Sequence, residues 1–224
     1  MRLAVLFTCL FLSLDMFSGA VINPDKGLES YPGKVTLSSS EIIEGDVQRI
    51  LTRGQKKVEV VTSDGKKQVI SKDDISQIRY SIPDEAGNLT DYTFVAGIVN
   101  PYKIEKVKKF WSLLIYECEG YKFYAGGEFF SYRDGGVGTR STGKMIAVIE
   151  YSLKRVADEW PLYFGQNGGS DEKIFKVMCK EIFKESPALL KKLELGDFTR
   201  DKNGDDQAEA LMQYLCERED IQLK

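Results

Sequence analysis

The stretch from Lys34 to Tyr80 limits the fold more than any other part of the chain. Its apolar residues recur with a period of two. Val35 and Leu37 alternate with Thr36 and Ser38, and Ile43 is followed by Gly45, Val47 and the Ile50-Leu51 pair. Val58, Val60 and Val61 are β-branched and lie between Lys56-Lys57 and Ser63-Asp64-Gly65; Val69-Ile70, Ile75 and Ile78 follow. Such runs, broken by Gly and Asp-Gly, predict four or five short antiparallel strands. Asp64-Gly65 is the strongest hairpin signal, since a type I′ turn needs positive φ at both central residues. A run of this length is too short for a sandwich. It predicts closure into a small SH3-like barrel, with a single twisted sheet as the alternative.

The first twenty residues, MRLAVLFTCLFLSLDMFSGA, have the pattern of a secretory signal peptide. Arg2 supplies the positive start, Leu3 to Leu14 the apolar run, and Ser18-Gly19-Ala20 the small residues of a cleavage site. The apolar run is short for a bilayer span, and the flanks of Cys9 lack the small residues of a lipoprotein site. Residues 21–33 contain Pro24, Gly27 and Pro32 and read as a linker or a lead-in strand. Cleavage removes one charge of each sign, so the formal balance of −3 persists. About 204 residues then remain, enough to bury roughly 70% of the unfolded surface. A slightly acidic chain without a basic stripe argues against nucleic acid as a partner, and no later segment approaches the length of a transmembrane helix.

Beyond the first module the texture changes. Pro83 to Asn88 is turn chemistry, which places a boundary between a module at 34–82 and a second region at 83–224. Tyr92 to Val99 reads as one strand. Phe110 to Cys118 is apolar on both faces of a strand. Tyr121 to Tyr124 and Glu128 to Tyr132 follow across Gly126-Gly127, which suggests a three-stranded meander; Lys144 to Lys154 and Trp160 to Phe164 extend it. Exposed aromatics on such strands stack on sugar rings, so Trp111, Tyr121, Tyr124 and Tyr132 are the candidate ligand-binding residues. Core packing explains the same residues, because aromatics favour strands and bury large areas.

The last third is helical. Ser170-Asp171 is a helix start, and Ile174, Phe175, Val177, Met178, Ile182 and Phe183 form a wide apolar stripe. Ser186-Pro187 opens a second helix with Leu189, Leu190 and Leu193 inward and Gly196 at its end. Asp205 to about Asp220 carries Ala208, Leu211, Met212, Leu215 and Cys216 at helical spacing. These helices are expected to cover the meander. Of the cysteines after residue 20, Cys118, Cys179 and Cys216, either one pair bridges in an oxidising compartment or all three are buried thiols. Cys179 and Cys216 are the expected pair.

The chain has no histidine. This excludes Ser-His-Asp and Cys-His catalysis and imidazole metal sites within it. Gly138 to Met145 approximates a phosphate-binding loop but has Met145 where the magnesium-binding hydroxyl belongs. Ser63-x-x-Lys66 and Ser141-x-x-Lys144 fit a catalytic spacing but sit in turn-like stretches without the companion motifs. Asp197 to Asp206 is acidic, yet Asp206 and Met212 occupy the glycine and glutamate positions of a calcium loop. Asn88-Leu89-Thr90 spells a glycosylation sequon, meaningful only in a eukaryotic host. No catalytic residue, cofactor or metal site is assigned.

The runs V-T-L-S-S-S-E-I-I-E-G-D-V (35–47), V-V-T-S-D-G-K-K (60–67) and I-S-K-D-D-I-S-Q-I-R-Y (70–80) resemble the N-terminal module of many exported proteins of Gram-negative bacteria. The tail from Phe175 to Phe198 resembles their helical end. The resemblance covers most of the chain after residue 20 and carries no catalytic residues. It implies an envelope location and an unassigned role; an envelope protein or a glycan is the candidate partner. The sequence therefore predicts an α+β protein, a small β barrel-like module followed by an antiparallel meander under C-terminal helices. The expected role is non-catalytic binding or structure; a carboxylate-based hydrolase of envelope glycan or peptide is the alternative.

Overall fold

The computed structural model describes residues 29–51, 53–83, 87–132, 144–166, 172–198 and 205–217. The side chains of 127–148, 172, 205 and 206 fall outside that description, as do the expected leader, most of the expected linker, the glycine-rich stretch from Gly138 and the centre of the acidic stretch. The protein is α+β. Twelve strands form one open sheet in the order β4-β3-β2-β1-β5-β6-β9-β10-β11-β12-β7-β8. The described pairings are antiparallel except that of β12 with β7, which is parallel. The chain divides into two compact units, one of Ile22–Gly126 with Ser152–Tyr163, the other including Gly127–Tyr151 and Phe164–Lys224.

The expected strands of the first module form in full: β1 (Ser30–Leu37), β2 (Ile42–Gln48), β3 (Lys57–Val61), β4 (Lys67–Ser71) and β5 (Ile75–Pro83). A 3-10 turn, Lys72–Asp74, joins β4 to β5. The strands form because their alternating apolar side chains share one interior: Val35, Val47, Val58, Val60, Ile75 and Ile78 are all fully buried. Tyr80 centres an aromatic group, with Tyr31, Tyr92 and Phe94 at ring distances of 6.0, 6.2 and 5.7 Å. Its hydroxyl accepts from the Ile50 N–H at 3.2 Å, and burial pushes the phenol well above its ordinary value. β1 begins at Ser30, so part of the expected linker is strand. Pro32 fits there because its missing N–H precedes the ladder to β5, which starts at Gly33. Among the described pairings the strands of this module belong to the open sheet.

Two hairpins in this module use the same turn. Between β3 and β4 the Thr62 carbonyl accepts from Gly65 N–H at 2.8 Å, and Thr62 N–H donates to Lys66 at 2.9 Å. Among the turn's residues only Gly65 has positive φ. This is a type I turn followed by a left-handed residue, which corrects the type I′ turn expected from Asp64-Gly65. Between β1 and β2, Leu37 and Glu41 play the parts of Thr62 and Lys66, and Ser40 stands in the glycine position with φ 70°. A serine there carries a Cβ penalty that Gly65 avoids. Ser40→Gly is therefore expected to stabilise the protein by about 0.5–1 kcal/mol, read as a higher denaturant midpoint with unchanged slope. A lower midpoint would contradict the strain assigned to Ser40.

The unit continues through β6 (Leu89–Val95), β7 (Ile98–Val99), β8 (Val107–Lys108) and β9 (Ser112–Cys118). The expected single strand from Tyr92 to Val99 is two strands, broken at Ala96-Gly97. A Cβ on Gly97 would lie 2.7 Å from Val107 and 3.1 Å from the Trp160 ring, so the chain turns where only glycine fits. β10 (Tyr121–Tyr132) instead runs unbroken through Gly126-Gly127, where two strands were expected. Gly126 faces the Ser112 hydroxyl and Trp111 carbonyl at 3.0 and 3.3 Å from a would-be Cβ; here glycine permits close strand approach instead of ending the strand. β11 (Lys144–Arg155) and β12 (Leu162–Gln166) complete the sheet.

Among its described residues the second unit holds three helices, α1 (Glu172–Ile182), α2 (Pro187–Leu195) and α3 (Asp205–Leu215). α1 buries Phe175, Cys179, Ile182 and the following Phe183, while Ile174 and Val177 lie on its exposed side. The wide stripe expected from sequence is thus a narrow i, i+4, i+7 seam. α2 starts at Ser186-Pro187 and ends at Gly196, which adopts φ 80° and donates its N–H to Lys192; Leu189 and Leu193 are buried. α3 buries Ala208, Leu211 and Met212. An aromatic file runs through this core, with Phe164, Phe175, Phe198 and Tyr214 meeting successively edge to face at 5.8–6.5 Å.

Cys118 and Cys216 are disulfide-bonded. Cys179 is a free, buried thiol, its ionisation driven up by burial. This overturns the expected Cys179–Cys216 pair. Cys179 stands on the buried seam of α1 and is a small core residue.

Candidate binding groove

Of the depressions among the described residues, one in the first unit has a defined set of walls. It encloses about 610 Å³. Three turns build it. The β1–β2 turn contributes Ser38 and Ser40, the β9–β10 hairpin Glu117, Cys118, Gly120, Tyr121 and Lys122, and the end of β11 with the residues after it Lys154, Arg155, Val156, Glu159, Trp160 and Pro161. Each turn is held by local bonds. Ser38 N–H donates to the Asp74 carbonyl at 2.8 Å. The Ser76 hydroxyl donates to the Thr36 and Leu37 carbonyls at 3.1 and 3.3 Å, where β1 shifts register against β5. Gly120 takes φ 86° in the β9–β10 turn, and Lys122 pairs with Glu117 across it at 2.7 Å.

The third wall is the most tightly tied. Arg155 meets Asp158 in a two-pronged ion pair, Nε to Oδ2 at 2.9 Å and Nη2 to Oδ1 at 2.7 Å. The Arg155 backbone N–H donates to the same carboxylate, and Asp158 N–H returns a bond to the Arg155 carbonyl. A bidentate pair of this kind fixes geometry as well as charge. It leaves Val156 projecting at the rim, 89% exposed. Behind it Lys154 is half-buried. Desolvation, then the nearby Lys122 charge, lowers its ammonium below the ordinary lysine value. Tyr124 is buried in the floor, and burial with Glu117 nearby pushes its phenol up to about 12.

The sequence candidates are distributed unevenly about this groove. Tyr121 is half-buried in its wall, its ring 6.3 Å from Phe123. Tyr124 lies in the floor. Trp111 is buried outside the groove, its indole N–H donating to the Gln55 carbonyl at 2.9 Å. Tyr132 belongs to β10 by backbone, with its side chain outside the description. Sequence reasoning missed Ser38, Ser40, Ser76, Lys154, Arg155 and Trp160. The cue available was the polar turn after Arg155 followed by a tryptophan; nothing local joins it to the serines of β1.

A shallower depression of about 840 Å³ on the first module holds Glu44, Asp46 and Asp91. Asp91 accepts from the Ser81 hydroxyl and pairs with Arg79, and these contacts hold its carboxyl below the ordinary range. Among the described residues no group of three or more His, Cys, Asp or Glu is placed to hold a metal ion, and no helix is long and apolar enough to cross a membrane. Ser63 and Lys66 lie in the β3–β4 turn, where Lys66 pairs with Asp64 at 2.8 Å; this is not one turn of a helix. Comparison with known proteins finds no matching family, no similar curated protein and no similar solved structure.

Proposed function

We propose that the protein is an exported, non-catalytic binding protein of the bacterial envelope. Its ligand enters the groove between the β1–β2, β9–β10 and post-β11 turns. The observation that carries the reading is the groove's lining. Thr36, Ser38, Ser40 and Ser76, the cations Lys122 and Lys154, and the aromatic residues Tyr121 and Trp160 line one concavity. A concave site with a few placed polar groups and aromatic surface is the usual form of a small-ligand pocket. Disulfide-bonded Cys118 and Cys216 support export, because such bonds persist in oxidising compartments, as does the leader-like start of the chain. The order β4-β3-β2-β1-β5 with a 3-10 turn between β4 and β5 supports an SH3-like reading of the first module. A hydrolase would need one carboxyl held protonated beside an ionised one. The described carboxylates with altered acidity, Asp64 and Asp91, are both held down.

The test is capture of envelope glycans and proteins by the chain from residue 21 onward, with Tyr121→Ala and Lys154→Glu as groove variants. Binding to a glycan or envelope protein that falls at least about tenfold in both variants, with folding intact by circular dichroism, is expected. Equal capture by both variants would place the ligand elsewhere. Retention of the intact precursor in the cytosol would remove the export part of the proposal.

A further inference from the structure

The cations lining the groove are not equally engaged. Lys122 holds Glu117 at 2.7 Å, and Arg155 holds Asp158 at 2.7 Å. Lys154 lines the same concavity from the end of β11 and is half-buried. Among the described residues its ammonium makes no ion pair and no hydrogen bond. Lys122 stands on β10, the neighbouring strand. After burial itself, the Lys122 charge is the largest influence on Lys154 and opposes its ionisation; Asp158 and then Glu159 each favour it by less. Asp158 is committed to Arg155, and Glu159 is exposed. An ammonium partly out of water keeps three donors in need of acceptors, and an anionic group in the groove supplies them.

The second observation is Ser40. It holds a left-handed backbone, φ 70°, where the matching turn between β3 and β4 has Gly65. Backbone strain retained at the wall of a cavity points to a use for the side chain. Ser38 and Ser40 are both exposed in the groove lining. Among the described residues neither hydroxyl has a hydrogen-bond partner, whereas that of Ser76 is committed to the Thr36 and Leu37 carbonyls. Hydroxyls both donate and accept, so they match a ligand that carries hydroxyls of its own. The carboxylates of an acidic peptide only accept, which makes a sugar the better fit.

We infer that the groove binds an acidic saccharide of the uronic acid class, its carboxylate paired with Lys154 and its ring hydroxyls meeting those of Ser38 and Ser40. This rests on the groove being the binding site and names the class of ligand it takes.

The test is isothermal titration calorimetry on the chain from residue 21 onward at one ionic strength. The probes are tetrasaccharides containing galacturonate or glucuronate, their uncharged methyl esters, and tetraglutamate. At least one uronate is expected to bind about tenfold or more tighter than its ester and than tetraglutamate. Lys154→Gln should lose about tenfold toward the uronate and little toward the ester, and Lys154→Arg should recover part of the loss. Ser40→Gly should weaken uronate and ester alike, by about three- to tenfold, while its denaturant midpoint rises. A purely structural role for Ser40 would move the midpoint without moving affinity. Lys34→Gln, on β1 and paired with Glu44, should leave binding unchanged. Esters bound as tightly as the acids, tetraglutamate bound as tightly as either, or no binding of any uronate would overturn the inference. The groove itself is judged separately, by whether Tyr121→Ala loses capture of envelope ligands.

Discussion

Gly45→Ala is expected to destabilise the first module by about 3 kcal/mol or more, a large fraction of a typical domain's stability. A Cβ at Gly45 would lie 2.2 Å from the Val61 carbonyl oxygen and 2.8 Å from its carbon. Both are backbone atoms, so no rotamer change relieves the clash. Gly45 pairs directly with Gly33 across β1 and β2, and a Cβ on Gly33 would lie 2.4 Å from the Arg79 oxygen. The two glycines let β2 approach β3 and β1 approach β5 closely. Gly54→Ala is the matched control, since nothing lies within 4 Å of its would-be Cβ, and it should stay within about 0.5 kcal/mol of the parent. Urea unfolding monitored by circular dichroism separates the cases. If Gly45→Ala matches Gly54→Ala, the close strand approach is wrong.

Phe164→Ala should cost about 3–5 kcal/mol. Phe164 is 1% exposed. Its ring stacks on Tyr151 at 6.2 Å and meets the edge of Phe175 at 6.2 Å, so truncation removes two aromatic contacts and opens a void. The neighbouring Gly165 already stands against Phe175, 3.4 Å from a would-be Cβ; a side chain that small cannot fill the space. Phe164→Leu, which preserves most of the volume, should cost markedly less. Near-ultraviolet circular dichroism, which reports the packing of these rings, should fall with the alanine variant and survive with leucine. Equal loss in both would mean the ring contacts themselves, not the volume, hold this core.

The strands of the first module were legible because one face of each is buried. Val35, Val47, Val58 and Val60 declare that face with a period of two, and no competing period fits. The ends of α2 were equally plain, because Ser186-Pro187 and Gly196 each have a conformational reason to be where they are. Gly97 and Gly126 show the limit. Both are glycines inside apolar runs; one ends a strand and the other does not, and the difference lies in what each faces, Trp160 in one case and Ser112 in the other. The α1 stripe was overread for a related reason. Val177 is apolar, but it points away from the seam of Phe175, Cys179 and Ile182, and hydrophobicity alone does not say which side finds a partner. The groove was least legible. Its walls come from turns more than a hundred residues apart, and Tyr121 was found only because aromatics draw notice, while Ser76 and Lys154 do not.

The outermost strand of the sheet has its own consequence for the molecule in solution. Among the described residues β4 pairs with β3 alone, so its other flank carries open backbone donors and acceptors there, with Val69 57% exposed beside them. Unpaired flanks of this kind invite stacking of one copy on the next. Lys66 and Lys67 stand exposed at the entry of β4, so two copies meeting there would set like charges against each other. The lysines thus act as a guard against filament growth, and the guard weakens as added salt screens them.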